Sequence, residues 1–97
     1  MALLQASGKL TFLRTHDLGT GWGPPGDVID VEVVCKLDTL PNNAFGFQLR
    51  NDGNRPVRAG MLDLLRDGFA HNWTVTIDYD INAGQSNGVV RRVWLTK

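Results

Sequence analysis

Cysteine, charge of one sign and long apolar runs are what this chain has little of. Cys35 is the only cysteine, so no disulfide can close within the chain. That excludes a small scaffold stapled by its own bridges and fits a reducing compartment. Ten basic residues face ten acidic ones, a formal net charge of +0. A neutral chain lacks the overall field that holds a nucleic-acid backbone, whose affinity comes largely from phosphate neutralisation. Low net charge also removes one barrier to self-association. No apolar run approaches the roughly 20 residues that a membrane-spanning helix needs. The start, MALLQASGKL, has no basic stretch followed by an apolar one, so no signal peptide is read there and a cytoplasmic location is expected.

What is present is ordinary for one globular domain spanning residues 1–97, with 42% hydrophobic and 21% charged residues. A chain of this length buries roughly two-thirds of its unfolded surface, enough for one core without metal or disulfides.

Most of the sequence has the period of two that marks strands. Gly8 to His16 reads as the first, with Leu10 and Phe12 on one face and Thr11, Leu13 and Thr15 on the other. Met1 to Ser7 is expected to be loosely held unless Leu3 and Leu4 pack onto the sheet or a neighbour. Val28 to Leu37 is the clearest strand. Ile29, Val31, Val33, Cys35 and Leu37 form one apolar face, and Asp30, Glu32, Val34 and Lys36 the other. The thiol of Cys35 therefore belongs in the core and is not read as a nucleophile. Ala44 to Arg50 puts Phe45, Phe47 and Leu49 on one face, with Gly46 opposite as a bulge or a close backbone approach. Trp73 to Asp80 alternates Trp73, Val75, Ile77 and Tyr79 with Thr74, Thr76, Asp78 and Asp80, the carboxylates pointing to solvent. Val89 to Thr96 carries apolar residues on both faces, which implies that Val90 or Trp94 is covered by another element or another chain.

One stretch breaks this pattern. Val57 to Asn72 has a helical period, with Val57, Met61, Leu64, Leu65 and Phe69 on one side and Leu62 at its edge. Gly68 falls on the apolar side, where a missing side chain lets a helix lie close to a sheet. Ala59, Asp63, Arg66, Asp67 and Ala70 make the opposite side.

The loop Asp17 to Asp27 has four glycines and two prolines. Gly21-Trp22-Gly23-Pro24-Pro25-Gly26 matches the dinucleotide-binding spacing formally. That motif needs a helix starting at the glycines to face a pyrophosphate, and here two prolines and a strand follow. Asp78, Asp80 and Asn82 open like a calcium loop, but Ala83 and Val89 stand where its glycine and bidentate glutamate belong. Neither His16 nor His71 has a nucleophile or carboxylate placed by sequence to form a triad. No cofactor, metal site or enzyme chemistry is read from this chain.

The order β-β-β-α-β-β in about one hundred residues resembles a five-stranded OB-fold barrel, mainly β with one helix plugging an end. Within that fold the Phe45-Gly46-Phe47 strand, the helix from Arg58 to Asn72, the Val75 to Tyr79 strand and the closing Val89 to Leu95 strand resemble the B subunits of bacterial AB5 toxins, the subtilase-cytotoxin type. The OB-fold likeness runs from Gly8 to Leu95. The toxin-type likeness implies a ring-shaped homopentamer that binds glycans. The chain lacks that family's cysteine pair, and none of the family's glycan-binding residues carries over.

The expected function is thus a non-enzymatic homo-oligomeric module for a glycan or small polar ligand. Its ligand-binding candidates are Trp22, Arg91, Arg92 and Trp94. Trp22 suits a sugar-stacking anchor or a subunit contact, and equally a loop aromatic folded on its own barrel. The candidate subunit interface is Ala59, Asp63, Arg66, Asp67, Ala70 and Trp94. The alternative is single-stranded nucleic-acid binding through Arg14, Arg50, Arg91, Arg92 and Trp94. Asp30, Glu32, Asp78 and Asp80 on the same strands argue against it.

Overall fold

The computed structural model describes residues 3–15, 31–49, 53–81 and 87–97. Its elements are β1 (Leu4–Gly8), β2 (Leu10–Arg14), β3 (Val31–Leu37), β4 (Ala44–Leu49), α1 (Arg55–His71), β5 (Thr74–Asp80) and β6 (Asn87–Thr96). Among the described residues the fold is mainly β with one helix, and six strands replace the expected five, in one sheet of order β1-β5-β6-β4-β3-β2. The two end strands of that order, β1 and β2, do not pair with each other. Neighbours are antiparallel except β4 and β6, which run parallel through Ala44–Gly46 and Asn87–Val89.

The additional strand comes from the residues expected to be loose. Leu4 to Gly8 pairs with Tyr79 to Val75, and Ala6 turns onto the core. Only Lys9 separates β1 from β2. The turn after β3 holds this break: the Asp38 carboxylate accepts the Lys9 N–H at 2.9 Å, and the Lys9 carbonyl accepts the Asp38 N–H at 2.9 Å. The Thr39 hydroxyl donates to the Ser7 carbonyl at 2.7 Å. The backbone groups that a bend takes out of the ladder are thereby satisfied.

Two register shifts alter the faces expected from strict alternation. In β2, Leu10 pairs with Leu37 and Phe12 with Lys36, leaving Thr11 as an extra residue. A bulge reverses the phase of everything after it. Leu10 and Leu13 therefore turn inward together, and Phe12 turns outward under the Lys36 ammonium, 5.7 Å from its ring. In β6, Val90 pairs with Tyr79 and Arg92 with Asp78, leaving Arg91 as the extra residue. Val90 and Val93 are both buried for this reason. The two-faced pattern of the last strand is the sequence trace of a bulge and requires no covering chain.

The core gathers Val33, Cys35 and Leu37 from β3, Phe45, Phe47 and Leu49 from β4, and Val75, Ile77 and Tyr79 from β5, with Leu10, Leu65, Val90 and Val93. Cys35 is fully buried, and burial pushes its thiol from 9.0 up to about 12. Thiol reagents are expected to label it only in the unfolded chain. The raised value has a sign. Below pH 9 both states keep the proton, so the stability is intact. As pH climbs from 9 towards 12 the unfolded chain ionises and the folded one does not, and stability falls by roughly 1 kcal/mol per pH unit. Urea midpoints at pH 8 and 10.5, with Cys35→Ala as the insensitive control, check this.

β5 lies between β1 and β6, and both of its faces are covered. Asp78 is buried, contrary to the solvent-facing expectation. Its carboxylate accepts from Gln5 Nε2 at 3.0 Å and faces the Arg92 guanidinium at 3.4 Å. Ser7 and Thr76 share a hydroxyl hydrogen bond of 2.7 Å beside them.

The helix sits on the sheet by Leu65 and Gly68, with Ala59, Met61 and Leu62 packed at the margins of the core. Val57, Leu64 and Phe69, expected on the buried side, are exposed, and Ala59, expected on the polar side, is half-buried. The contact is centred on a glycine. A Cβ at Gly68 would stand 2.7 Å from Val75 and 2.9 Å from Leu95, whereas one at Gly60 would meet nothing within 4 Å. Gly68→Ala is therefore expected to lose about 1–3 kcal/mol by overpacking. Gly60→Ala should gain roughly 0.5–1 kcal/mol from helix propensity. Paired thermal melts of the two variants test these opposite signs. Asn72 ends the helix in the left-handed region at φ 55°, a conformation asparagine tolerates, and the Trp73 N–H closes on the Gly68 carbonyl at 3.1 Å. His71 stacks on Trp73 with ring centroids 4.5 Å apart, and the Lys97 ammonium covers the same ring at 4.9 Å.

Candidate ligand groove

Residues that alternate with the core positions of β3 and β4 point away from the core. On β3 these are Glu32 and Val34, and on β4 they are Ala44, Gly46 and Gln48. Arg14 of β2, Val89 and Arg91 of β6 and Arg58 of α1 close the sides. Together they form an open groove of about 710 Å³ across four strands. Gly46 lies in its floor and adds no side chain to it.

The groove is polar. Among the described residues three arginines and one carboxylate line it, and a second carboxylate, Asp80, pairs with one of the arginines. Arg14 and Glu32 pair at 3.3 Å, both part-exposed. Arg91 donates from Nε to Asp80 at 2.7 Å, and its side chain stays 47% exposed. Arg58 donates from Nη1 to the Gln48 carbonyl at 2.9 Å. That partner is neutral, so the Arg58 charge has no carboxylate beside it among the described residues. Among the described residues no cluster of His, Cys, Asp and Glu is placed to hold a metal ion, and no helix is long and apolar enough to cross a membrane.

The β6 bulge separates the residues singled out from sequence. As the extra residue, Arg91 turns to the groove. Arg92 and Trp94 lie opposite Asp78 and Thr76, on the outer face of β5 that also carries Gln5 and Ser7. The groove does not include them. Trp22, Asp30, Arg50, Asn82 and His16 lie outside the described residues. Asp63, Arg66, Asp67 and Ala70 are exposed on the helix, with Arg66 and Asp63 paired at 3.3 Å. A pair so exposed contributes little to stability.

Sequence reasoning missed Arg58. The signal was present. The first turn of α1 has no acidic residue, and Arg55 and Arg58 sit near it. Cations at the positive end of a helix dipole are unfavourable by several tenths of a kcal/mol. Such a local rule is commonly broken where a side chain serves a site.

No protein-family model, curated protein or solved structure matches this chain.

Proposed function

We propose that this chain is a non-enzymatic binding module on an OB-type barrel, that it works as a homo-oligomer, and that its groove takes a small anionic polar ligand such as an acidic glycan. One observation carries the reading: among the described residues three arginines face a groove on the outer sheet face, and one of them, Arg58, has no carboxylate beside it. Support for the barrel comes from β1 and β2, which lie at opposite ends of the sheet order yet are joined through Lys9, so the chain bridges the two edges. The parallel β4–β6 pair with a helix between β4 and β5 also belongs to that plan. Support for assembly comes from the helix flanks, where Leu64 and Phe69 are exposed. A ring of five is the size implied by the toxin-type resemblance.

The groove's aromatic lining residues, Phe45 and Phe47, are buried in the core. The described part of the groove thus presents no exposed ring on which bases stack, and single-stranded nucleic acid is disfavoured.

An array of uronic-acid, sulfated and neutral oligosaccharides tests the ligand. Acidic members are expected to bind and Arg91→Ala to weaken them about tenfold, the loss of one charge-assisted hydrogen-bonding group. Binding to an oligothymidine in preference to every acidic sugar would replace this reading with the nucleic-acid one. Light scattering tests assembly separately: a particle near the 10.7 kDa chain mass refutes the oligomer.

A further inference from the structure

A second, smaller cavity adjoins the groove. It holds about 210 Å³ and is lined by Asn54, Val57, Arg58, Met61, Val90 and Arg91. Two of these residues, Arg58 and Arg91, also line the groove. They form the ridge between a polar chamber and one whose walls include three aliphatic side chains.

The strand geometry accounts for the small chamber. The β4–β6 pairing ends at Gly46 and Val89. Immediately after it, the bulge at Arg91 shifts β6 against β5. Beyond that point β4 and β6 are not paired, and the start of α1 supplies Val57, Arg58 and Met61 to the space between them. Arg58 is anchored on the Gln48 carbonyl of β4, and Arg91 is anchored on Asp80 of β5. Each arginine is thus held at one nitrogen and keeps further donors for a ligand, since a guanidinium carries five N–H groups.

From this arrangement we infer that the ligand is a carboxylate bearing a short branched aliphatic group. The carboxylate sits on the ridge between Arg58 and Arg91, and the branch enters the chamber of Val57, Met61 and Val90. Charge sets the head: Arg58 has no carboxylate partner among the described residues, and planar guanidinium groups match a carboxylate by paired hydrogen bonds. Volume and lining set the tail, because a 210 Å³ cavity walled in part by Val57, Met61 and Val90 accommodates a short aliphatic branch. The inference rests on the groove reading and narrows it to one end of the groove.

The test uses the full chain, uniformly labelled with ¹⁵N and titrated with 4-methylpentanoate, 4-methylpentanamide and acetate. The carboxylate is expected to move the amides of Val57, Arg58, Met61, Val90 and Arg91, and to bind about tenfold or more tighter than the neutral amide. Acetate should move Arg58 and Arg91 while leaving Val57 and Met61 in place. Arg58→Gln should erase the preference for carboxylate over amide. Val57→Asn lies at a 67% exposed helix position that the fold does not need, and it should bring 4-methylpentanoate down to the level of acetate. Equal binding of acid and amide, or an unchanged advantage over acetate in Val57→Asn, overturns the inference. If acidic oligosaccharides still bind when 4-methylpentanoate does not, the inference fails and the groove reading stands. If neither binds, both fail.

Discussion

Truncating Phe45 to alanine is expected to cost about 3–5 kcal/mol of folding stability. Its side chain is 1% exposed and joins three strands at one place. In β4 it pairs with Cys35 on one side and with Gly88 on the other. Its ring meets Tyr79 of β5 edge-on, with centroids 4.7 Å apart and planes at 60°. Aromatic pairs of this geometry contribute about 0.5–1.5 kcal/mol beyond the area they bury. Alanine removes the ring contact and leaves a cavity whose walls belong to hydrogen-bonded strands and cannot collapse into it. Gly88 sharpens the point: a Cβ there would already approach Tyr79 to 2.7 Å and Phe45 to 3.2 Å, so the site is filled to capacity. Against a total stability of about 5–15 kcal/mol, such a loss is a large fraction. Urea titration followed by tryptophan fluorescence measures it. Phe45→Leu should lose less than alanine. A loss below about 1 kcal/mol for alanine would mean that this corner of the core is not packed as described.

The core-facing sides of β3, β4 and β5 were legible because the apolar alternation there runs unbroken, and each places its apolar set where the core needs it. Val33, Cys35, Leu37, Phe45, Phe47, Leu49, Val75, Ile77 and Tyr79 are buried as their spacing predicts. β1 was not legible. Leu-Gln-Ala-Ser-Gly has little apolar content, and its pairing depends on the neighbour β5 and on a turn far away in sequence at Asp38 and Thr39, 32 residues separating Ser7 from Thr39. The bulges at Thr11 and Arg91 were visible only as broken alternation. Broken alternation has two physical readings, a covered second face or an extra residue, and only the pairing register separates them.

The helix shows a different limit. Its buried face is centred on Leu65 and Gly68, so part of the contact is made by a residue without a side chain. Hydrophobic periodicity counts side chains, and it moved the apparent centre out to Leu64 and Phe69. Gly68 itself was readable as a place of close approach, and Val75 and Leu95 supply that approach. The groove was the least legible part. Its arginines come from three elements, β2, α1 and β6, and meet only because the sheet order sets β4 between β3 and β6.

Gly46 joins these strands to the groove, and Gly46→Val is expected to lose about 3 kcal/mol or more. Propensity argues the other way, since valine suits a strand and glycine weakens one. The local geometry outweighs that preference. A Cβ at Gly46 falls within the van der Waals shell of the Val33 carbonyl oxygen, and it would also lie 3.4 Å from the Val33 carbonyl carbon and 3.5 Å from the Val34 Cα. All three atoms are backbone, so no rotamer change relieves the overlap. β4 must move off β3, which breaks the pairing that runs from Val31–Leu49 to Cys35–Phe45. Propensity differences among strand residues span only about 1 kcal/mol, too little to offset a broken ladder. Gly53→Ala is the control, because nothing lies within 4 Å of its added carbon, and it should be near neutral. Chemical denaturation of both variants separates the two accounts: a Gly46→Val protein as stable as its parent would show that β3 and β4 do not approach so closely. The same substitution raises the floor of the groove, so the surviving folded fraction should also bind acidic sugars more weakly than the parent. That second loss ties the glycine to the ligand surface as well as to the sheet.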